Sequence, residues 1–507
     1  MKFPVEQSTR VSSVSLRSAV PSIAAIPEIR ATNIPTMRTC YLFTLVILTL
    51  LFEVRTSFGQ AVLFKANNDA FTGTFVRGPY TLDNLTSNDT TPSGPIFLFA
   101  VSKPERGRAE VRPGNVVVYT PSNSFRGEDT FSYAISSAPN GEGTISQASV
   151  TIRNPYYLYR GTYSSAVVGT HRIHEESGYL TLSVNQEGRF TAKLLYAGLI
   201  YPFKAEFDAN GRYTASIQRT PPLSALQLDI QFHIEGPSGI DCRLTNGAEI
   251  VEFTAPLNTW SSKNRPPLQG IYTIALPAPD TRRTTPQGSG YTTVSINNSG
   301  AVSFRGRTGD NRSFSSSSIL RVDDTVPFYA ALYKGTGSMF GDIVFTRLNA
   351  DRVIVQADLL WTKPRIRKDR LYPTGFIRTV TALGSNYTEP KSNTCVLQVG
   401  TTENFNSNFT VAAGILPKSR TERALLGNRP DFGVYQVAFD NSKRLRAAFK
   451  ISPRNGVFTG TFFNALSKKL YRMSGVFVQG ENTAYGVWNS PTRTGLVLLR
   501  PDSLSNP

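Results

Sequence analysis

His171 and His174 stand three residues apart in the segment HRIHEE. On a helix that spacing would place both imidazoles on one face, within reach of a single zinc ion. The neighbouring residues read instead as a loop between strands and supply no third ligand, so both histidines are expected to be solvated turn residues. Acyl transfer by a serine nucleophile would need a strained elbow, and the chain contains no GxSxG segment. Glycoside hydrolysis would need two carboxylates at a fixed separation; Asp323 with Asp324, or Glu175 with Glu176, are candidates that turn and surface roles explain more simply. Phosphate-cradling loops and dinucleotide fingerprints are absent. The chain therefore reads as non-enzymatic, with no catalytic and no cofactor-binding residues.

The densest run of charge is KPRIRKDR, with Lys363, Arg365, Arg367, Lys368 and Arg370. It follows an apolar strand ending at Trp361 and precedes Pro373, which predicts a hairpin tip. Such a cluster suits an anionic polysaccharide or another polyanion, and a solvated loop is the competing reading. The formal net charge of +18 is otherwise scattered rather than clustered, which argues against a dedicated nucleic-acid groove. Tyr291, Phe304, Phe314, Phe328, Tyr329, Tyr333, Phe340, Phe345 and Trp361 alternate with polar residues and are expected in cores. A sugar-stacking platform would need one of the three tryptophans, Trp260, Trp361 or Trp488, to be exposed.

These residues must be positioned by strands. A chain of 507 residues exceeds one hydrophobic core and suits roughly two to four domains. Its 39 Gly, 32 Pro and low 18% charge favour many short strands over long surface helices. Residues 1–59 read as a leader: 1–36 lack apolar periodicity, and 37–59 resemble a signal peptide, with YLFTLVILTLLF after Arg38 and Ser57-Phe58-Gly59 before a cleavage point. Translation from Met37 would give that signal an ordinary start. The expectation is therefore an exported protein with no membrane span after leader removal. Cys242 and Cys395 are read as buried free thiols in separate modules, with a disulfide as the alternative.

From about residue 158 the chain repeats itself. GTYSSAVV from Gly161 and GIYTIALP from Gly270 each lead to a Gly-Tyr pair, Gly178-Tyr179 and Gly290-Tyr291, then to an alternating strand and a turn at Gly188 or Gly300. A third, partial copy begins at Gly433 with GVYQVAF. Leu180, Leu182 and Val184 point one way and Thr181, Ser183 and Asn185 the other, the period of a half-buried strand in an antiparallel meander.

Upstream, five short strands are predicted at 95–101, 107–111, 115–119, 129–136 and 145–152, the spacing of a β-sandwich. Within VVVYTPSNSFRGEDTFSYAIS, residues Tyr119, Thr120, Pro121, Phe125, Gly127, Asp129, Phe131 and Tyr133 resemble the signature of bacterial cadherin-like, Ig-like tandem repeats from surface adhesins. Asn68, Asp69, Gly107 and the LTSND segment ending at Asp89 extend the match to about 90 residues. That resemblance implies a calcium site, for which at most Asp69, Asp89, Glu128 and Asp129 remain as acidic residues, with Asp69, Asp89 and Asp129 the candidate ligands. Calcium takes six to eight oxygens, and turn capping by the same side chains is the competing reading. The later units, with PFYAALYKGTGSMFGDIVF and LLWTKPRIRKDRLYPTGF, resemble repeats of large exported proteins from Verrucomicrobia-type and Planctomycetes-type bacteria. The fold expectation is all-β: an Ig-like/cadherin-like β-sandwich over 60–155, then antiparallel β-meander repeat units, of sandwich or barrel form, over 156–262, 263–385 and, in part, 386–507. The function expected is a cell-surface or secreted structural and adhesion protein meeting glycans or other extracellular proteins, with a carbohydrate-binding accessory, and then a hydrolase with an unrecognised site, as the alternatives.

Overall fold

Seven strands build the first module: β1 (Asp69–Thr72), β2 (Tyr80–Leu82), β3 (Phe97–Val101), β4 (Gly107–Arg112), β5 (Val116–Pro121), β6 (Glu128–Ser136) and β7 (Ile145–Arg153). They form two sheets, β1-β7-β6-β3 and β2-β5-β4, with β1 running parallel to β7. Strict alternation puts Phe131, Tyr133 and Ile135 of β6 inside against Val117 and Tyr119 of β5. Tyr119 and Phe131 stack with centroids 6.2 Å apart. Pro121 closes β5, as its missing amide requires. The structure, a computed structural model, describes residues 63–75, 78–208, 210–233, 239–391, 394–399, 405–427, 437–440 and 445–502. The expected leader and the Gly433 start of the third repeat lie outside the described residues.

Asn154 ends the sandwich and caps a single helical turn, Pro155–Leu158, by accepting the Tyr157 amide on its side chain. That turn inserts Tyr156 into the next core, against Phe207 and Phe232. There β8 (Gly161–Val168), β9 (Ser177–Val184), β10 (Arg189–Tyr196) and β11 (Leu199–Glu206) form one meander, and β12 (Arg212–Ile217), β13 (Leu226–Phe232), β14 (Ile240–Asn246) and β15 (Glu249–Ala255) a second. Both pack on one core, and the chain after β15 returns to β8 through the Tyr163–Leu257 bridge.

The second unit is a single eight-stranded sheet of β16 (Gly270–Leu276), β17 (Gly290–Ile296), β18 (Ala301–Arg307), β19 (Ser313–Ile319), β20 (Thr325–Leu332), β21 (Gly337–Arg347), β22 (Val353–Lys363) and β23 (Phe376–Asn386). Its last strand pairs with its first, so the sheet closes except between β19 and β20. The third unit repeats this plan with β24 (Ser407–Ala413), β25 (Arg420–Leu426), β26 (Val437–Phe439), β27 (Ala448–Ser452), β28 (Val457–Asn464), β29 (Lys469–Val478), β30 (Thr483–Asn489) and β31 (Thr494–Pro501). Here β24 pairs with β31, and the opening falls between β26 and β27. The third GxY copy thus runs into the third strand of its sheet, not the first. Sequence repeat and closed sheet are offset by two strands.

The Gly-Tyr pairs have a role that alternation alone does not reveal. Tyr179 and Tyr291 face outward from their own sheets and are buried by the unit that follows: Tyr179 packs with Tyr329 and Phe340, and Tyr291 with Val476 and Val478. The glycine before each lets the third strand cross closely, since a Cβ on Gly178 would lie 2.1 Å from the Leu195 carbonyl oxygen. Hydrogen bonds lock the same junctions. Gly198 N donates to Tyr329 Oη at 3.0 Å, Thr273 Oγ1 to the Phe477 carbonyl at 2.7 Å and Gly480 N to Ser385 Oγ at 2.8 Å.

Serine hydroxyls replace the missing ladder between β19 and β20. Ser316 Oγ donates to the Tyr329 carbonyl, and Ser318 Oγ lies 2.6 Å from the Pro327 carbonyl and 3.1 Å from Tyr179 Oη. Ser318→Ala strands a buried carbonyl at the seam and is expected to cost about 1–3 kcal/mol in urea denaturation. Exposed Ser317→Ala should stay within about 0.5 kcal/mol of the parent.

Candidate functional site

Strand parity decides the fate of the basic run. Along β22, Val353, Val355, Ala357, Leu359 and Trp361 all point into the core of the second unit. Lys363 continues that series and is buried, at 2% exposure. It is therefore not part of a surface patch, which corrects the grouping of all five cations. Arg365, Arg367, Lys368 and Arg370 occupy the loop beyond it and are exposed.

The buried ammonium is fully partnered. Lys363 Nζ lies 2.6 Å from Asp369 Oδ2 and 3.3 Å from Asp310 Oδ2, above the Tyr333 ring at 4.3 Å. Tyr333 donates its hydroxyl to Asp310 Oδ2 at 2.9 Å and accepts from Trp361 Nε1 at 3.0 Å. Asp369 also receives Arg312 at 2.7 Å and the Leu371 amide at 3.1 Å. Burial by itself would raise the Asp369 pKa, but Lys363, the Leu371 amide and Arg312 outweigh it and hold the carboxyl below its ordinary value. Burial and the Asp310 charge push the Tyr333 phenol well above its own. Asp310 and Asp369 converge, yet the lysine is shared between them and Asp310 is wholly enclosed. The arrangement is a structural ion cluster.

Above the cluster opens a groove of about 1020 Å³. Arg312, Lys334, Lys368 and Arg370 line it, together with Asn311, Leu332, Tyr333, Leu371 and the Asn489–Pro491 segment of the third unit. Arg365 and Arg367 are not among the lining residues. Because Lys363 and Arg312 together balance the two aspartates, the three remaining cations, Lys334, Lys368 and Arg370, give the groove an anion-attracting field.

The expected calcium ligands do not assemble as three. Asp69 and Asp89 share a corner of the first module, where Asn88 Nδ2 donates to Asp69 Oδ1 at 3.1 Å and Asp89 Oδ1 accepts the Asn67 amide and the Tyr133 hydroxyl, each at 2.8 Å. Oδ2 of each aspartate is buried without a hydrogen bond. Burial lifts the Asp69 pKa, contact with Tyr133 opposes the lift, and the Asp89 charge adds to it. Asp129 is committed elsewhere: it accepts Tyr119 Oη at 2.8 Å and the amides of Arg106 and Thr130.

Other sequence candidates separate as well. His174 is buried, its Nδ1 3.0 Å from Ser338 Oγ, and so is not the solvated turn residue expected, while His171 is exposed. Trp361 and Trp488 are enclosed in cores, and half-buried Trp260 gives its indole N–H to the Leu320 carbonyl, so none forms an open stacking face. Cys242 and Cys395 form no disulfide; Cys242 is buried, which pushes its thiol up to about 12, whereas Cys395 is only half-buried and directs its Sγ to the Leu426 carbonyl at 3.8 Å.

Residues 61–153 match the family described as bacterial Ig domain. This supports the Ig-like reading of the first module, a module type typical of surface and extracellular β-proteins. No curated protein matches the chain. Among the described residues no helix is long and apolar enough to cross a membrane.

Two outcomes test the ion cluster. Lys363→Met leaves the buried Asp310 carboxylate without its cation, while Asp369 keeps Arg312, and should destabilise by about 3–5 kcal/mol in denaturant titration. The lowered Asp369 pKa contributes stability that is fully present above the unfolded value near 3.8 and is lost as pH falls through the folded value. Melting temperature measured against pH should show that acid limb, and Asp369→Asn should flatten it.

Proposed function

We propose that this chain is a non-catalytic structural and adhesion protein of the bacterial cell surface or extracellular space, and that it holds anionic glycan in the groove of its second unit. The observation that carries the reading is the locking of successive units. Tyrosines buried between neighbours and hydrogen bonds across each junction make a stiff row, suited to spacing and display. The Ig-like module and the likeness of the later repeats to those of large exported bacterial proteins point the same way, as does the signal-like segment at 37–59.

The groove favours a carbohydrate-binding role through charge rather than stacking. Its three uncommitted cations, Lys334, Lys368 and Arg370, are exposed, while both tryptophans of the two closed sheets are internal. A uronate or sulfate-bearing polymer presents repeated anions at spacings that several such side chains engage together.

A glycan array probed with the full chain tests this, with sulfated and uronic polysaccharides beside neutral ones. Retention should be confined to the anionic set and weaken with salt. The triple variant Lys334→Ala, Lys368→Ala, Arg370→Ala should lose about tenfold to a hundredfold in affinity. Unchanged retention by the triple variant would remove the groove from the account.

A further inference from the structure

The loop from Gly169 to Glu176 joins β8 to β9 and is used on both of its sides. His174 reaches the second unit, with Nε2 3.2 Å from the Gly335 carbonyl. His171 faces Glu176 and Glu249 and also borders a crevice with Asp358, Leu360, Ile377 and Thr379 of the second unit. Its Nδ1 lies 2.8 Å from Glu176 Oε1 and 3.9 Å from Glu249 Oε2. Two loop amides aim the carboxylates: His171 N donates to Glu176 Oε2 at 3.1 Å, and Thr170 N to Glu249 Oε1 at 3.0 Å. Each glutamate is thereby held through one oxygen and offers the other. Gly169 makes the room, since a Cβ there would lie 2.7 Å from Glu176 Oε2 and 3.1 Å from Glu249 Oε1.

A second observation marks the spot. Tyr196 is fully enclosed, its hydroxyl makes no hydrogen bond of standard geometry, and Asn246, Glu176, Arg219 and Glu249 all act on it. Asn246, whose side-chain oxygen accepts from Arg219 at 2.6 Å, and Arg219 act on the same hydroxyl against the two carboxylates. A buried hydroxyl set among two carboxylates and one guanidinium, with a single exposed imidazole facing the carboxylates, leaves a polar space of net negative charge.

We propose that His171 Nδ1, Glu176 and Glu249 bind one divalent cation of the zinc class, clipping the β8–β9 loop to the first residue of β15. The three ligand atoms lie within 4.8 Å of one another. Tetrahedral bonds of about 2.0–2.1 Å need ligand atoms about 3.3 Å apart. The 2.8 Å and 3.9 Å separations therefore have to open and close, respectively, by about half an ångström, which a largely exposed His171 can do. The two carboxylate oxygens, within 4.8 Å of each other, have to draw together by up to about 1.5 Å. One imidazole with two carboxylates is a zinc-type donor set, whereas calcium prefers an all-oxygen shell. Water takes the fourth position. The location gives the ion a mechanical purpose. The β8–β15 seam is bridged at Tyr163–Leu257 near one end, and the cation would tie the other.

Calorimetric titration of the metal-free full chain with zinc, followed by thermal melting with and without the ion, tests this. One equivalent should bind, with a rise in melting temperature. His171→Ala should lower affinity by about tenfold or more and abolish the rise. Glu249→Gln is the second test, and His233→Ala, which removes the imidazole paired with Asp241 at 2.7 Å, should leave zinc binding intact. Absence of stoichiometric binding, or binding unchanged in both His171→Ala and Glu249→Gln, overturns the proposal and leaves His171 as a counter-ion only.

Discussion

Closure of the sheet is the constraint from which the rest of the molecule follows. A strand at the edge of an open meander exposes a row of unpaired amides and carbonyls that would pair with any passing chain. In the second and third units the last strand returns to the first, so most of that liability disappears. Where the ladder fails, side chains fill in, as Ser316 and Ser318 do between β19 and β20. A closed unit can then meet its neighbour only through outward side chains and turns. Tyr179, Tyr291 and their preceding glycines supply that contact, which explains why the repeat keeps a Gly-Tyr pair on its second strand.

Local periodicity made much of this fold legible. The five strands expected between residues 95 and 152 lie within one or two residues of β3 to β7, because alternation and turn residues act over short spans. Closure was not legible, since pairing of β24 with β31 joins opposite ends of a unit and leaves no local pattern. The third GxY copy shows the consequence. A repeat read along the chain begins wherever its motif begins, whereas the sheet begins where two distant strands meet. Tyr291 shows a related blind spot: period two says that it alternates, but not that its outward face is covered.

The candidate sites divide along the same line. Asp69 and Asp89 come together because the first module brings β1 beside the LTSND turn, whereas Asp129 is taken by the Tyr119 hydroxyl and two amides. The inward position of Lys363 could have been read from the odd-numbered apolar series ending at Trp361. Its partner Asp310, 53 residues away, could not. His171 was weighed against His174 because they are neighbours in sequence. In space its companions are Glu176 and Glu249, and 79 residues separate Glu249 from the Thr170 amide that holds it.

Partition of one basic run between core and surface connects stability to recognition. Lys363 is drawn inside by strand parity, and its charge is tolerated only because Asp310 and Asp369 meet it there. Asp369 belongs to the same loop as Lys368 and Arg370, and it also fixes Arg312 from the β18–β19 hairpin. The buried ammonium therefore anchors the loop from below while the exposed cations look outward from it. A loop so anchored loses less conformational freedom when a ligand binds than a free basic tip would. The same lysine that is lost to the surface patch is thus what gives the remaining cations a fixed arrangement.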